Sequence, residues 1–275
     1  MKTLRIFPRK TNGTPDDENV IINRMPHLYD EADQIHISVA FTWDIPRAEK
    51  LAYMWKSVAP VTVGGPAFNQ PGGEFEPGIY LKEGCVITSR GCNNRCWFCS
   101  VWKREPVIKE LKINEGWNIM DDNLIACSDQ HIKSVFEMLK RQKHKARFTG
   151  GIEAKLLKEW HCKLFADLKP DYIYFAYDTP DDYEYLREAS KLLLQYKIMQ
   201  GHRCMCYVLI GYPNDTFEKA LRRIQRAIKM GYMPFAMLYR DETGKTNIEW
   251  RRFQREYANP IITASNMKQF KEIKL

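Results

Sequence analysis

From residue 84 to residue 240 the apolar positions alternate between a period of two and a period of three to four. The runs "GCVITSR" (84–90), "GWNIMDD" (116–122), "ARFTGG" (146–151), "YIYFAYD" (172–178), "CMCYVLIGY" (204–212) and "MPFAMLYR" (233–240) predict strands. Helical patterns lie between them. "DQHIKSVFEMLKRQ" (129–142) puts Ile132, Val135, Phe136 and Leu139 on one face, and "AKLLKEWHCKLFADLK" (154–169) repeats Leu156, Trp160 and Leu164 at i+4 steps. "DDYEYLREASKLLLQY" (181–196) opens on acidic residues, and "DTFEKALRRIQRAIKMG" (215–231) closes at Gly231. Strict β-α order predicts a parallel sheet with right-handed crossovers. Six β-α units are too few for a closed eight-fold barrel. They predict an α/β fold with an open, partial (β/α)6 TIM-like barrel, its chemistry at the C-terminal strand ends.

The first 72 residues carry a smaller version of this pattern. "IHISVAFT" (35–42) and "APVTVGG" (59–65) are β-type runs, and "TLRIF" near the start predicts another strand. Between the first two, "DIPRAEKLAYMWKSV" places Ala48, Leu51, Ala52 and Trp55 on one helix face, with Pro46 suited to the first turn. This β-α-β unit has the pattern of half a small doubly wound sheet. "RKTNGTPDDEN" reads as turns, and "VGGPAFNQPGGEFEPG" (63–78) can hold neither a helix nor a long strand. The second break predicts a linker. The expected organisation is an N-terminal α/β cap (1–72), a barrel (80–242) and a basic C-terminal extension (243–275). No internal repeat or low-complexity tract interrupts it.

Composition narrows the class. The chain has 275 residues, of which 44% are hydrophobic, as in a globular protein. No apolar run reaches the ~18 residues of a membrane span, and "MKTLRIFPRK" has no apolar signal region, so the expectation is a cytoplasmic protein without a membrane. Eight cysteines in such a compartment point to metal or redox chemistry rather than disulfides. Net charge is 42 − 34 = +8, and residues 217–275, with 13 Lys/Arg against 6 Asp/Glu, carry +7 of it. "EWRRFQREY" (249–257) interleaves Trp250, Phe253 and Tyr257 with Arg251, Arg252 and Arg255. Such a stripe suits a nucleic acid, but the aromatic spacing equally suits a helix docked on the barrel.

The densest chemistry is "RGCNNRCWFCSVW" (90–102), where Cys92, Cys96 and Cys99 form a C-x3-C-x2-C run. A structural zinc site wants four ligands, commonly two C-x2-C pairs. Cys85, the nearest other thiol, begins the preceding strand and falls too far from the loop tip. Three cysteines suit an iron–sulfur cube whose fourth iron stays open to a small molecule. Zinc binding and plain thiols remain the alternatives.

"CNNRCWFC" resembles the C-x3-C-x-aromatic-C signature of the radical S-adenosylmethionine (radical SAM) enzymes, and it lies in the loop after the first strand of a β-α series, as in that family. The resemblance covers about residues 84–240. It implies that Cys92, Cys96 and Cys99 hold a [4Fe–4S] cluster and that Phe98 packs against the adenine side of S-adenosylmethionine. It also implies reductive cleavage of that cofactor to a 5′-deoxyadenosyl radical, an unidentified substrate, and an external electron donor of flavodoxin or ferredoxin type. "LIGYPNDT" (209–216) resembles the family's G-x-P-G-E-T turn, with Asn214 and Asp215 replacing Gly and Glu, which makes Gly211 a candidate cofactor contact. "IMDDN" (119–123) departs from the family's GGE segment and offers Asp122 instead. Glu153, after "TGG", and Asp178 stand at the ends of the third and fourth strands and complete the candidate cofactor contacts. Residues 1–72 resemble a truncated form of the cobalamin-binding domain found in one branch. No D-x-H-x-x-G is present to supply a histidine to cobalt, so the reading does not include cobalamin.

Two other functions compete. One is modification of a nucleic acid or tRNA through the basic end. The other is a non-catalytic zinc or electron-transfer iron–sulfur protein. The six histidines show no paired ligand spacing, "VGGP" is followed by no phosphate-loop lysine, and Cys127, Cys162, Cys204 and Cys206 have no tight spacing for a second cluster.

Overall fold

The computed structural model describes residues 1–200, 202–259 and 262–265. It is an α/β structure with parallel sheets, and its contacts divide the chain into two units. The first comprises Met1–Gly116 with Glu242–Gly244, the second Trp117–Asp241 with the chain from Lys245 onward.

In the first unit, β1 (Thr3–Phe7), β2 (Val20–Ile22), β3 (Gln34–Ser38), α1 (Ile45–Trp55) and β4 (Val61–Gly64) follow in sequence. The sheet order β2-β1-β3-β4 is parallel throughout. This is a doubly wound order, with the chain reversing direction across the sheet between β1 and β3. Ile6, Ile35, Leu51 and Trp55 are fully enclosed in its core. Ala48 joins them on the predicted face of α1, and Pro46 lies in its first turn. β2 was not legible as a strand. Its three residues follow a run of turns, too short for any alternation to register.

The break at 63–78 lies inside this unit, and the division by contacts falls after Gly116. The buried Arg5 donates to the carbonyls of Gly78 and Ile79 at 3.0 and 2.6 Å. Lys82 N–H donates to Gly13 at 2.9 Å. These bonds tie the irregular segment to the N-terminal sheet. The predicted strand "GCVITSR" is two pieces, β5 (Cys85–Val86) and β6 (Ser89–Arg90). After the cysteine loop come the single turn α2 (Val101–Arg104) and β7 (Lys109–Glu110), which pairs antiparallel with β6.

The second unit keeps the alternation: β8 (Asn118–Ile119), α3 (Asp129–Lys140), β9 (Arg147–Phe148), α4 (Glu159–Leu168), β10 (Tyr172–Ala176), α5 (Asp182–Gln195), β11 (Cys204–Ile210), α6 (Phe217–Lys229), β12 (Met233–Leu238) and α7 (Ile248–Ala258). β8 to β12 pair parallel in sequence order, each crossover carried by a helix. Caps set the helix starts. Ser128 accepts from His131 N–H at 3.2 Å, and Thr216 from Lys219 N–H at 3.2 Å. The predicted face of α3 is buried, and Phe136 meets Phe148 and Phe165 at 5.4 and 5.1 Å between centroids.

α4 differs from expectation. Leu156 belongs to a separate 3-10 turn (Ala154–Leu156), so the helical phase restarts at Glu159. The buried residues are His161, Cys162 and Phe165, and Leu156, Trp160 and Leu164 are half-buried. Among the described residues no helix is long and apolar enough to cross a membrane.

Candidate functional site

The cysteine loop belongs to the first unit. Cys92, Cys96 and Cys99 are half-buried and lie in the irregular stretch between β6 and α2. Cys92 N–H donates to the Glu105 carbonyl at 3.2 Å, and the Cys96 carbonyl accepts from Cys99 N–H at 3.1 Å and from the Trp102 indole at 2.9 Å. Two backbone amides point at sulfur: Asn94 N–H to Cys92 Sγ and Val101 N–H to Cys99 Sγ, each 3.4 Å. Hydrogen bonds to ligand sulfurs are among the levers that tune an iron–sulfur cluster.

Gly91, which sequence reasoning passed over, fixes the entry to this loop. Its φ is +90°, and a Cβ there would stand 2.3 Å from the Val107 carbonyl oxygen. Only glycine fits both constraints. Among the described residues no group of three or more His, Cys, Asp or Glu is arranged to hold a metal ion. The three thiols thus share one loop without forming a closed ligand set. The donor chemistry fits an iron–sulfur cube: three sulfurs in one loop, two of them receiving N–H bonds. Cys85 is 2% exposed in β5, outside the loop. Phe98 is half-buried, edge-on to Trp97 at 5.4 Å.

The remaining candidates lie in the second unit, at the C-terminal ends of its parallel strands, where backbone groups and loops converge in such sheets. After β8, Asp121 is buried and Asp122 half-buried. Glu153, half-buried, accepts from Asn123 Nδ2 at 2.6 Å. Gly150 permits close approach of the two strand ends, since a Cβ there would lie 2.1 Å from the Asp121 carbonyl oxygen.

Asp178 and Gly211 share one hydrogen-bonded network. Asp178 Oδ1 accepts from Leu209 N–H at 3.0 Å, bridging β10 to β11. The Leu209 carbonyl accepts from Arg223 at 2.8 Å, and the same guanidinium nitrogen donates to Asp215 Oδ2 at 2.8 Å. That oxygen also accepts from Gly211 N–H at 2.9 Å. Burial, reinforced by the neighbouring Asp182 carboxylate, pushes the Asp178 carboxyl up to about 7 against the opposing Leu209 amide and Arg223. Its proton is therefore exchangeable at neutral pH. Gly211 has φ +69°, and a Cβ would approach the Trp250 ring to 3.0 Å. Asp215, in place of the family's glutamate, is fully buried against Arg223, and it anchors this turn.

A cavity of about 290 Å³ opens at the ends of β11 and β12, walled by Tyr212, Tyr239 and Trp250, with Asp241 and Lys245 at its polar side. Sequence reasoning missed a second feature, the sheet face turned away from the helices. Phe175 meets Tyr232 on the helix side, so by alternation Tyr174 takes the other face. Tyr174, Tyr207 and Phe235 form a half-buried aromatic row there. Tyr174 and Tyr207 stack at 4.4 Å, and Tyr207 and Phe235 meet edge-on at 5.9 Å. The Tyr207 hydroxyl donates to the Thr149 carbonyl at 3.1 Å. The readable signal was tyrosine at alternate positions in "YIYFAYD".

α7 docks by its aromatic side: Trp250 and Phe253 lie 4.3 and 5.6 Å from Phe217, and Tyr257 is buried. Of the rest of the basic extension, residues 260–261 and 266–275 lie outside the described residues. No protein-family model matches this chain, and no curated protein matches it in sequence.

Proposed function

We propose that this chain is a radical S-adenosylmethionine enzyme, its β-α series an open, partial (β/α)6 barrel preceded by an α/β cap. The observation that carries the reading is the C-x3-C-x2-C loop, with half-buried thiols and backbone N–H groups directed at two of its sulfurs. Cys92, Cys96 and Cys99, as thiolates, would hold a [4Fe–4S] cluster. The chemistry that cluster and cofactor supply when bound is one-electron cleavage of S-adenosylmethionine to a 5′-deoxyadenosyl radical that abstracts hydrogen from a substrate.

This chain's own residues bind, orient and shield. Phe98, half-buried and directly before Cys99, offers an apolar face to the adenine side of the cofactor. Asp122 and Glu153 would accept hydrogen bonds from the cofactor's ammonium and hydroxyl groups, with Glu153 oriented by Asn123. Asp178 holds or releases a proton near neutral pH. Gly211 leaves its turn open beside the Tyr212, Tyr239 and Trp250 walls, which suit a planar, polar ligand.

The test is anaerobic reconstitution with iron and sulfide, followed by iron analysis and electron paramagnetic resonance of the reduced protein. One [4Fe–4S] cluster per chain is expected, with a spectrum altered by S-adenosylmethionine. Alanine at Cys92, Cys96 or Cys99 abolishes it, and alanine at Cys85 does not. A zinc protein, or a cluster that survives Cys96→Ala, contradicts the proposal.

A further inference from the structure

The two sides of α7 have different fates. Its aromatic side is spent on packing against Phe217, and Gln254 donates to the Ala236 carbonyl at 3.2 Å. Ile248, Arg251, Arg252 and Arg255 line a separate cleft of about 190 Å³. All three arginines are exposed, and none has a side-chain hydrogen bond or ion pair among the described residues. The arginines of α6 contrast with them. Arg222 pairs with Glu218 at 2.8 Å, Arg223 with Asp215 at 2.8 Å, and Arg226 donates to the Tyr177 hydroxyl at 3.2 Å. Like charges three and four residues apart weaken a helix, and although Glu249 and Glu256 lie on the same helix, neither is within ion-pair distance of these arginines among the described residues.

We propose that this arginine face binds the phosphodiester backbone of a nucleic acid strand. Guanidinium forks match phosphate oxygens bidentately. Arg251 and Arg255 are spread over about 6 Å of helix axis, which suits successive phosphates rather than one small anion. The surrounding sequence supplies a long-range field, with +7 of the chain's +8 charge in residues 217–275. Because Trp250 and Phe253 pack against Phe217 and Tyr257 is buried, no aromatic side chain of α7 stands on this face as a platform for stacking bases among the described residues. The contact is therefore to backbone alone, insensitive to sequence and sensitive to salt. The inference is independent of the reaction proposed above.

The test is fluorescence anisotropy of the full chain with mixed-sequence RNA and DNA single strands of about 20 nucleotides, titrated between roughly 50 and 200 mM salt. The comparison is with an R251Q/R252Q/R255Q variant and with R222Q, whose arginine is already paired. Loss of three phosphate contacts makes the triple variant's slope of log affinity against log salt shallower by about 2, which removes roughly 20-fold of the wild-type loss across that range. R222Q keeps the wild-type slope. Equal slopes in wild type and triple variant overturn the proposal, as does wild-type protein that binds neither strand. Binding to anionic phospholipid vesicles in preference to both strands overturns it too, in favour of a membrane surface. The exposed, unpaired side chains allow the triple variant to fold, which its circular dichroism checks.

Discussion

Replacing Asp178 by Asn exchanges an ionisable group for a neutral one of the same shape. Asn keeps an oxygen for Leu209 N–H, 3.0 Å away in the native protein. The native carboxyl titrates near 7, against 3.8 in the unfolded chain. Because the folded value is raised, the unfolded state ionises first as pH rises. Stability from this group is full below pH 3.8 and lost progressively up to about 7. At ~1.4 kcal/mol per pH unit the ceiling is about 4 kcal/mol, and the carboxyl's partial exposure reduces the expected gain to about 2–3 kcal/mol. Urea unfolding followed by far-ultraviolet circular dichroism at pH 8 and pH 4 measures it. Asp178→Asn is expected to be more stable than wild type at pH 8 by that amount and equal to it near pH 4. It is also expected to lower turnover, since a buried carboxyl that gives up its proton near neutral pH at the expense of stability is the pattern of a working site. A variant no more stable at pH 8 than wild type refutes the reasoning about burial.

Three further outcomes follow from the same geometry. His161, 2% exposed, is depressed to about 4 by burial, so its contribution is present above pH 6.5 and lost as pH falls toward 4. Asp178 has the opposite slope in that window. Asp178→Asn therefore unmasks an acid loss of up to about 3 kcal/mol, which His161→Gln abolishes in the same melts. Arg223→Met strands the fully buried Asp215, and thermal melts at pH 7 should show a loss of about 3–5 kcal/mol. Gly91→Ala places a side chain against the Val107 carbonyl at positive φ. It costs at least ~1–3 kcal/mol locally, and iron analysis should show impaired cluster assembly with all three cysteines intact.

The sequence carried the β-α alternation of 117–238 because each helix there is amphipathic and each strand is bounded by turn residues. It failed where local pattern and tertiary context part. In α4 the Leu156–Trp160–Leu164 repeat crosses a 3-10 turn, and the buried face instead contains His161, a polar residue accepting from Lys158 N–H. The Pro/Gly-rich break at 63–78 marked absence of regular structure, and Arg5, more than 70 residues away in sequence, binds its end to the first sheet. At the candidate site the thiols were legible because their spacing is local. Asp178 with Leu209 was not, since those partners are 31 residues apart and meet only when β10 pairs with β11. Asp215 was visible as a departure from a motif, but its bond to Arg223 required α6 to turn that guanidinium inward.

The most direct test of the central claim is chemical. The reconstituted protein is incubated anaerobically with dithionite and S-adenosylmethionine, and the products are read by mass spectrometry. The account predicts 5′-deoxyadenosine, absent with Cys96→Ala. Intact S-adenosylmethionine beside a zinc-loaded protein would contradict it.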